Sequence, residues 1–345
     1  MRPGSPYGTH RVLEPLGVLP QGAWKIDNSM AIYDNEIRID VSALNIDAAS
    51  FTQIRQEAAG DLERIAGIVC GTVERRGKQH NPVTGSGGML IGRVAEIGPA
   101  LADKVDLKVG DRIATLVSLS LTPLQIRSIR KIHLDQDQIE VDGQAILFAS
   151  GRYARLPDDI PEAVALAILD VAGAPAQTAR LVRPGDTVLV VGGGGKSGSL
   201  CVYEARKRAG PAGRVIGVSP FADDCERMRE LGWVDHAVQV DATDAVAMME
   251  AIAKVTAGQM ADVTINCVNI PNTEMGSILS TRDRGRIYFF SMATSFTAAA
   301  LGAEGVGKDV EMIIGNGYAK DHALYALALL RESPELRRLF TESYG

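Results

Sequence analysis

Residues 192–198 read Gly-Gly-Gly-Gly-Lys-Ser-Gly, and within them Gly193, Gly195 and Gly198 satisfy the spacing G-x-G-x-x-G, with Gly194, Lys196 and Ser197 between them. This pattern has a chemical use when a strand precedes it and a helix follows. The first glycine permits a tight turn, the second lets the backbone approach a pyrophosphate, and the third lets helix pack on strand. The helix start then presents unpaired N–H groups and a positive dipole end to the phosphates. Both flanks are present. Residues 187–191, Thr-Val-Leu-Val-Val, form the apolar run of a parallel strand buried on both faces, and residues 199–209 carry helix formers that stop before Gly210. A nucleoside-triphosphate loop, G-x-x-x-x-G-K-[ST], would need glycine where Val190 stands, which excludes it. A turn without a ligand is the plain alternative. The short apolar run 214–219 favours the dinucleotide, because it ends at Ser219, about 20 residues beyond the third glycine, where a second βαβ strand should end. An acidic residue there would hold a ribose 2′-hydroxyl. Serine neither demands that hydroxyl nor offers a cation to a 2′-phosphate, so either NAD or NADP is expected.

The elements that must position this turn follow from the rest of the chain. From residue 187 onward, apolar runs at 214–219, 237–240, 262–268 and 286–290 alternate with helical stretches, the pattern of a doubly wound parallel sheet. Before residue 156 the texture is β-rich. Residues 36–41 alternate with period two, 51–73 read as one helix, 89–97 and 112–119 read as strands, and 133–150 as a strand pair hinged at Asp142-Gly143. The organisation expected is therefore α/β, with a β-rich domain over 1–155, a nucleotide domain over 156–320 and a C-terminal helical segment over 321–345.

Composition sets outer bounds. The 345 residues suffice for two cores, and 46% hydrophobic with 23% charged is an ordinary soluble composition. A net charge of −6 offers no face-wide basic excess, so no nucleic-acid partner is expected. No apolar run reaches membrane-spanning length, and residues 1–5 lack the apolar core of a signal peptide. Cys70, Cys201, Cys225 and Cys267 show neither C-x-x-C nor framework spacing. A cytoplasmic location is the expectation.

Several motifs together resemble the medium-chain dehydrogenase/reductase superfamily. Pro82-Val-Thr-Gly-Ser-Gly87 with Gly92-Arg-Val-Ala-Glu-Ile-Gly98 is similar to its P-x-x-G-H-E…G-x-V-x-x-V-G signature, and Val109-Gly-Asp-Arg-Ile113 to its P-G-D-R-V turn. Arg183-Pro-Gly-Asp186 resembles its lead into the glycine turn, and Asp262-Val-Thr-Ile-Asn-Cys267 its later D-V-V-x-D-x strand. The resemblance implies a GroES-like catalytic domain, a Rossmann domain, a C-terminal helix returning to the catalytic domain and a homodimer or higher homo-oligomer. It also marks a departure. Where zinc-dependent members place His and Glu, Ser86 and Gly87 stand, and Asp47 stands in the early Cys position. No tetrahedral set of N and S ligands can be assembled, so no metal is expected.

A closer resemblance rests on Tyr7-Gly-Thr-His-Arg-Val-Leu-Glu-Pro15, Trp24-Lys-Ile-Asp-Asn28, Leu44-Asn-Ile-Asp-Ala-Ala-Ser-Phe-Thr-Gln53 and Asn81-Pro-Val-Thr-Gly-Ser-Gly-Gly88. These are similar to the L-erythro-3,5-diaminohexanoate dehydrogenase family of anaerobic lysine fermentation. That implies oxidation of the C3 amine to 5-amino-3-oxohexanoate and ammonia. Hydride loss from an amine develops an iminium, which a dication opposes and a carboxylate stabilises. Asp47 is the first candidate for a base serving both deprotonation and imine hydrolysis, with helix capping its equal alternative. Asp170 is second and His80 third, each with a plain structural alternative. Arg11, Ser86 and Asn45 are the expected substrate contacts, and Arg55 or Lys78 could equally clamp the substrate carboxylate. A quinone or enoyl reductase without zinc, and a cofactor-binding protein without turnover, are the rival readings.

Overall fold

The computed structural model describes residues 2–81, 85, 87–291, 293–315 and 317–345. The chain separates into two compact units, Met1–Leu166 and Ala167–Gly345, later than the boundary expected at 155 and inside a helix.

In the first unit, short strands β1 (Val12–Glu14) and β2 (Lys25–Ile26) pair antiparallel. The main sheet holds β3 (Glu36–Asn45), β4 (Met89–Ile97), β5 (Arg112–Thr115), β6 (Leu124–His133), β7 (Gln138–Phe148) and β8 (Tyr153–Arg155). Its spatial order is β6-β7-β3-β4-β5-β8, each neighbouring pair antiparallel. Alternate residues Ile37, Ile39 and Val41 of β3 enter a core with Leu90, Val94, Ile139 and Val141. Helices α1 (Ala48–Glu57) and α2 (Leu62–Arg76) close that core with Phe51, Ile54, Ile65, Val69 and Val73. Each such side chain contributes about 1.5–3 kcal/mol on burial, so packing rather than intrinsic propensity holds these helices.

Two local expectations are corrected here. The single helix expected over 51–73 is two, because Ala59 and Gly60 take left-handed backbone (φ 54° and 77°) and Asp61 then caps α2, accepting from Arg64 N at 2.9 Å. Asp142-Gly143 is not a hinge. The β6–β7 turn comes earlier, with Asp137 at φ 54°, and Gly143 lies inside β7, where a Cβ would stand 2.4 Å from the Gln125 carbonyl. The glycine permits close strand approach beside a bulge.

Helix α3 (Glu162–Asp170) crosses into the second unit, which continues with α4 (Gly173–Leu181), β9 (Thr187–Val191), α5 (Lys196–Ala209) and β10 (Arg214–Ser219). Then come α6 (Ala222–Glu230), β11 (His236–Gln239), α7 (Ala245–Thr256), β12 (Ala261–Asn266), α8 (Glu274–Leu279), β13 (Thr281–Phe289), α9 (Phe296–Gly305) and β14 (Glu311–Ile314). The strands form one parallel sheet in the order β11-β10-β9-β12-β13-β14, with chain direction switching sides at β9. That is the doubly wound arrangement the alternation predicts, and ligands bind beyond the strand ends at its switch point. Val188 to Val191 of β9 are fully buried.

The tail is helical, in two pieces. Pro334 begins a further helix, α11 (Pro334–Tyr344), rather than marking the end of α10 (His322–Glu332) alone. Its fixed φ suits a first helical turn, and Ser333 caps it by accepting from Leu336 N at 3.1 Å. α10 packs on α4, and α11 packs on α10 and α5. Among the described residues, no helix is long and apolar enough to cross a membrane.

One buried ion pair ties the N-terminal segment to β3. Arg11 is fully buried, its Nε donates to Glu36 Oε1 (2.7 Å) and its NH2 to Glu36 Oε2 (2.6 Å). Burial pushes the Glu36 carboxyl up, but Arg11, the Tyr33 N–H and His10 together hold it below its ordinary 4.5. A depressed carboxyl pKa stabilises the fold above the unfolded value, and that contribution is lost as pH falls through the folded one. Glu36→Ala should therefore lower unfolding free energy by about 3–5 kcal/mol near neutral pH, since it strands a buried guanidinium. Urea melts should show this difference shrinking below about pH 4.5.

Candidate functional site

The glycine turn between β9 and α5 is built by close approach. Gly192 takes the positive φ of the turn (80°), one residue earlier than the spacing suggests, and a Cβ on Gly198 would lie 1.9 Å from the Gly192 carbonyl. Helix α5 therefore starts against the end of β9. Gly195 stands at its N-cap without a side-chain cap, and the first-turn N–H groups of Lys196, Ser197 and Gly198 have no intrahelical acceptor. Such a cradle fits a dinucleotide phosphate, and no side chain at 193–195 fills it.

Two charged groupings flank the turn. Lys196 Nζ lies 2.6 Å from Asp170 Oδ2 at the end of α3, and 5.9 Å from the Tyr344 ring centroid. Asp170 is thus engaged by an ammonium. At the end of β10, Ser219 is buried and its Oγ donates to Asp224 Oδ2 (2.6 Å). Asp224 also accepts from Arg227, whose NH2 donates to the Gly194 carbonyl (2.9 Å). A Cβ on Gly194 would stand 2.5 Å from Asp224 Oδ2, so this carboxylate lies over the turn. Ser219 therefore passes the strand-end position to a carboxylate five residues on. The signal passed over in the sequence was the acidic pair Asp223-Asp224 in the first turn of α6.

The first unit gathers a second set. Asp47 caps α1, its Oδ1 accepting from Ser50 N at 3.1 Å. Ser50 Oγ in turn accepts from Asn81 Nδ2 (3.0 Å), which also reaches Gln53 Oε1 (3.0 Å). Asn45 ends β3 buried, its Oδ1 3.4 Å from Gln138 Nε2, and a Cβ on Gly88 would meet its carbonyl at 2.0 Å. Asp47 and Asn81 are thereby linked through Ser50, and Asn45 lies against Gly88; Ser86 lies outside the described residues. His80 sits partly buried with Nδ1 2.8 Å from Arg76 NH1. Burial, then Lys78 and Arg76, lower its pKa to about 4. It is neutral at pH 7, with the proton on Nε2 if Arg76 donates to Nδ1. A group of that basicity is a weak proton acceptor near neutral pH.

Two expected substrate clamps are corrected. All of Arg11 is buried and its donors go to Glu36 and to the carbonyls of Ser29 (2.7 Å) and Ala31 (2.9 Å), so it cannot meet a ligand. Lys78 is likewise fully buried, donating to the carbonyls of Pro20 (2.6 Å) and Gln21 (3.2 Å), and burial followed by Arg76 lowers its pKa to about 8. Arg55 stays exposed on α1.

A parallel sheet of this order with its glycine turn, and an antiparallel unit in the same chain, give the fold of the medium-chain dehydrogenase/reductase class. Solved structures share the fold. A mycobacterial protein complexed with NADPH is 18% identical, covering 89% of this chain and 83% of that one at a TM-score of 0.55. The CurK enoyl reductase is 16% identical over 96% and 85%, also at 0.55. Family models described as L-erythro-3,5-diaminohexanoate dehydrogenase N-terminal domain and as zinc-binding dehydrogenase match residues 10–157 and 198–302. The L-erythro-3,5-diaminohexanoate dehydrogenase of Acetoanaerobium sticklandii is 58% identical over 99% of both chains, and that of Fusobacterium nucleatum subsp. nucleatum 56% over 100% of both. The chain belongs to the L-erythro-3,5-diaminohexanoate dehydrogenase family and is a dehydrogenase.

The turn makes a separable prediction. A Cβ on Gly195 meets nothing nearer than 3.5 Å, whereas one on Gly198 collides with backbone. Gly195→Ala should melt like the parent yet bind NADH weakly in fluorescence titration, because its methyl occupies the phosphate approach. Gly198→Ala should lose both binding and about 1–3 kcal/mol of stability, the cost of overpacking.

Proposed function

We propose that this chain carries out the NAD(P)-dependent oxidative deamination of the C3 amine of L-erythro-3,5-diaminohexanoate, giving 5-amino-3-oxohexanoate and ammonia, in the cytoplasm of a lysine-fermenting cell. The observation that carries the reading is full-length identity of 58% and 56% to two dehydrogenases named for that substrate. When bound, the nicotinamide supplies the hydride acceptor. The glycine turn and first turn of α5 hold its phosphates, with Lys196 beside them. We also propose assembly as a homodimer or higher homo-oligomer; β14 is an edge strand whose Ile314 is 53% exposed.

Asp47 is the residue we assign as base and counter-charge. The substrate amine must lose a proton before its carbon can release hydride, and water must lose one to add to the resulting iminium. One carboxylate performs both transfers by passing the first proton on to solvent; ionised again, it stabilises the iminium and then accepts the proton of water, a task for which a bound dication is the wrong sign. The cap bond to Ser50 N fixes the orientation of Asp47, which suits a positioned base as well as a helix start. Asp170, on Lys196, and His80, with its pKa near 4, fit that duty less well.

Asp47→Asn separates the roles. Asparagine caps about as well as aspartate, so thermal stability should be unchanged, while deaminating turnover should fall roughly 10²–10⁴-fold. A near-parental rate would move the role to Asp170 or His80. Turnover of a quinone or an enone in place of the diamino acid would sink the substrate reading itself.

Asp224 bears on the cofactor. Held by Ser219, it restores a carboxylate near the end of β10, where it can accept from a ribose 2′-hydroxyl and repel a 2′-phosphate. NAD should therefore be preferred although NADP is also used. Asp224→Ser leaves Arg227 without its carboxylate and should shift the ratio of kcat/KM values towards NADP by about tenfold, or roughly 1.4 kcal/mol; an unchanged ratio would remove Asp224 from this role.

A further inference from the structure

Cys201 and Cys267 are far apart in sequence, but the Cys267 thiol lies 3.7 Å from Cys201 Sγ. Cys201 is on α5, one turn beyond Ser197, and is fully buried. Cys267 follows β12 at the ligand-binding edge of the sheet, is partly exposed, and donates its N–H to the carbonyl of Val191, the last residue of β9. One sulfur is thus attached to the helix that starts at the glycine turn, and the other to the strand beside the turn's entry. A third polar group is close enough to feel their charge. The Tyr288 hydroxyl is buried with no hydrogen-bond partner among the described residues, and burial, then the two thiols, push its pKa well above the ordinary range. It remains a proton donor.

We propose that Cys201 and Cys267 form an oxidative modification site that a hydroperoxide converts to a disulfide, and that this bond distorts the glycine turn and weakens dinucleotide binding. Cys267, the accessible member, attacks the peroxide oxygen; the O–O bond breaks, water leaves and Cys267 becomes a sulfenic acid. The Cys201 sulfur then attacks the Cys267 sulfur, the S–O bond breaks and a second water leaves. Two thiols and one hydrogen peroxide become one disulfide and two waters, with both electrons passing from the sulfurs to the peroxide oxygens.

Closure has a mechanical consequence. A disulfide needs about 2.05 Å between sulfurs, so the pair must draw together by about 1.6 Å. The start of α5 has nowhere to move, because Gly198 already touches the Gly192 carbonyl and the face of Gly192 is met by Val268, next to Cys267. Strain that the side-chain torsions of Cys201 and Cys267 do not absorb is therefore carried by Lys196, Ser197 and the turn.

The test treats the full-length protein with hydrogen peroxide, maps non-reduced peptides by mass spectrometry and titrates NADH by fluorescence before and after. The expected result is a Cys201–Cys267 linked peptide lighter by two hydrogens and an affinity for NADH reduced about tenfold, comparable to the strain of repacking a tight core. Dithiothreitol should restore both. Cys267→Ser, and separately Cys201→Ala, should bind NADH before treatment and keep that affinity after it. Oxidation of Cys267 to sulfinic acid with Cys201 left as thiol, or no reaction, would overturn the proposal; so would a cross-link that leaves NADH affinity unchanged. The effect on affinity rests on the dinucleotide reading of the turn, whereas the cross-link does not. Failure of untreated protein to bind NADH would overturn that reading and the affinity effect, while the peptide map would still decide the cross-link.

Discussion

Where Gly198 meets the carbonyl of Gly192, there is no space for a side-chain carbon, and most of the second unit's chemistry depends on that contact. It brings the first turn of α5 to the end of β9, so that unpaired N–H groups face outward where the strand stops. It places Lys196 within reach of Asp170 and Gly194 beneath Asp224. It also leaves α5 without slack, so a group pulling on its second turn acts on the turn itself. A larger residue at Gly198 would separate helix from strand and disperse the set.

The first unit is organised by a different economy of forces. Its N-terminal segment has only a small apolar cluster of its own, Val12, Ala23 and Ile26 with Val18 against them. Buried cations take over the tethering. Arg11 is locked to Glu36 on β3, Lys78 holds the carbonyls of Pro20 and Gln21, and Arg76 stacks on Trp24 at 3.8 Å while reaching His80. Paired buried charges add little net stability but strongly disfavour alternatives that leave a partner stranded. The strap from Pro20 to Trp24 is thereby fixed against the segment that leads into residues 81–88.

Local signals in the sequence were sufficient for the strand–turn–helix at 187–209, for the alternation on β3 and for the parallel sheet. They failed where the deciding partner is distant. Arg11 looked like an available clamp because nothing nearby in sequence announces Glu36, and Asp142-Gly143 carries turn chemistry that its neighbours across two strands convert into a bulge. The break at Gly60-Asp61 was visible in residue type but outweighed by an apolar stripe that continues through both helices. Asp47 was legible as a cap and is one. Ser219 was legible as a strand end, but only three dimensions show that it passes its position to Asp224.

The ion pair between Lys196 and Asp170 gives the phosphate turn a counterion supplied by the protein itself. An anion that engages this lysine displaces a tethered carboxylate, which cannot diffuse away and whose local concentration does not vary with the medium. The entropy normally gained by expelling a free salt ion is therefore absent at this contact. Binding through Lys196 is an exchange between two internal states of one side chain, and it is buffered against changes in the surrounding salt to the extent that the tether holds.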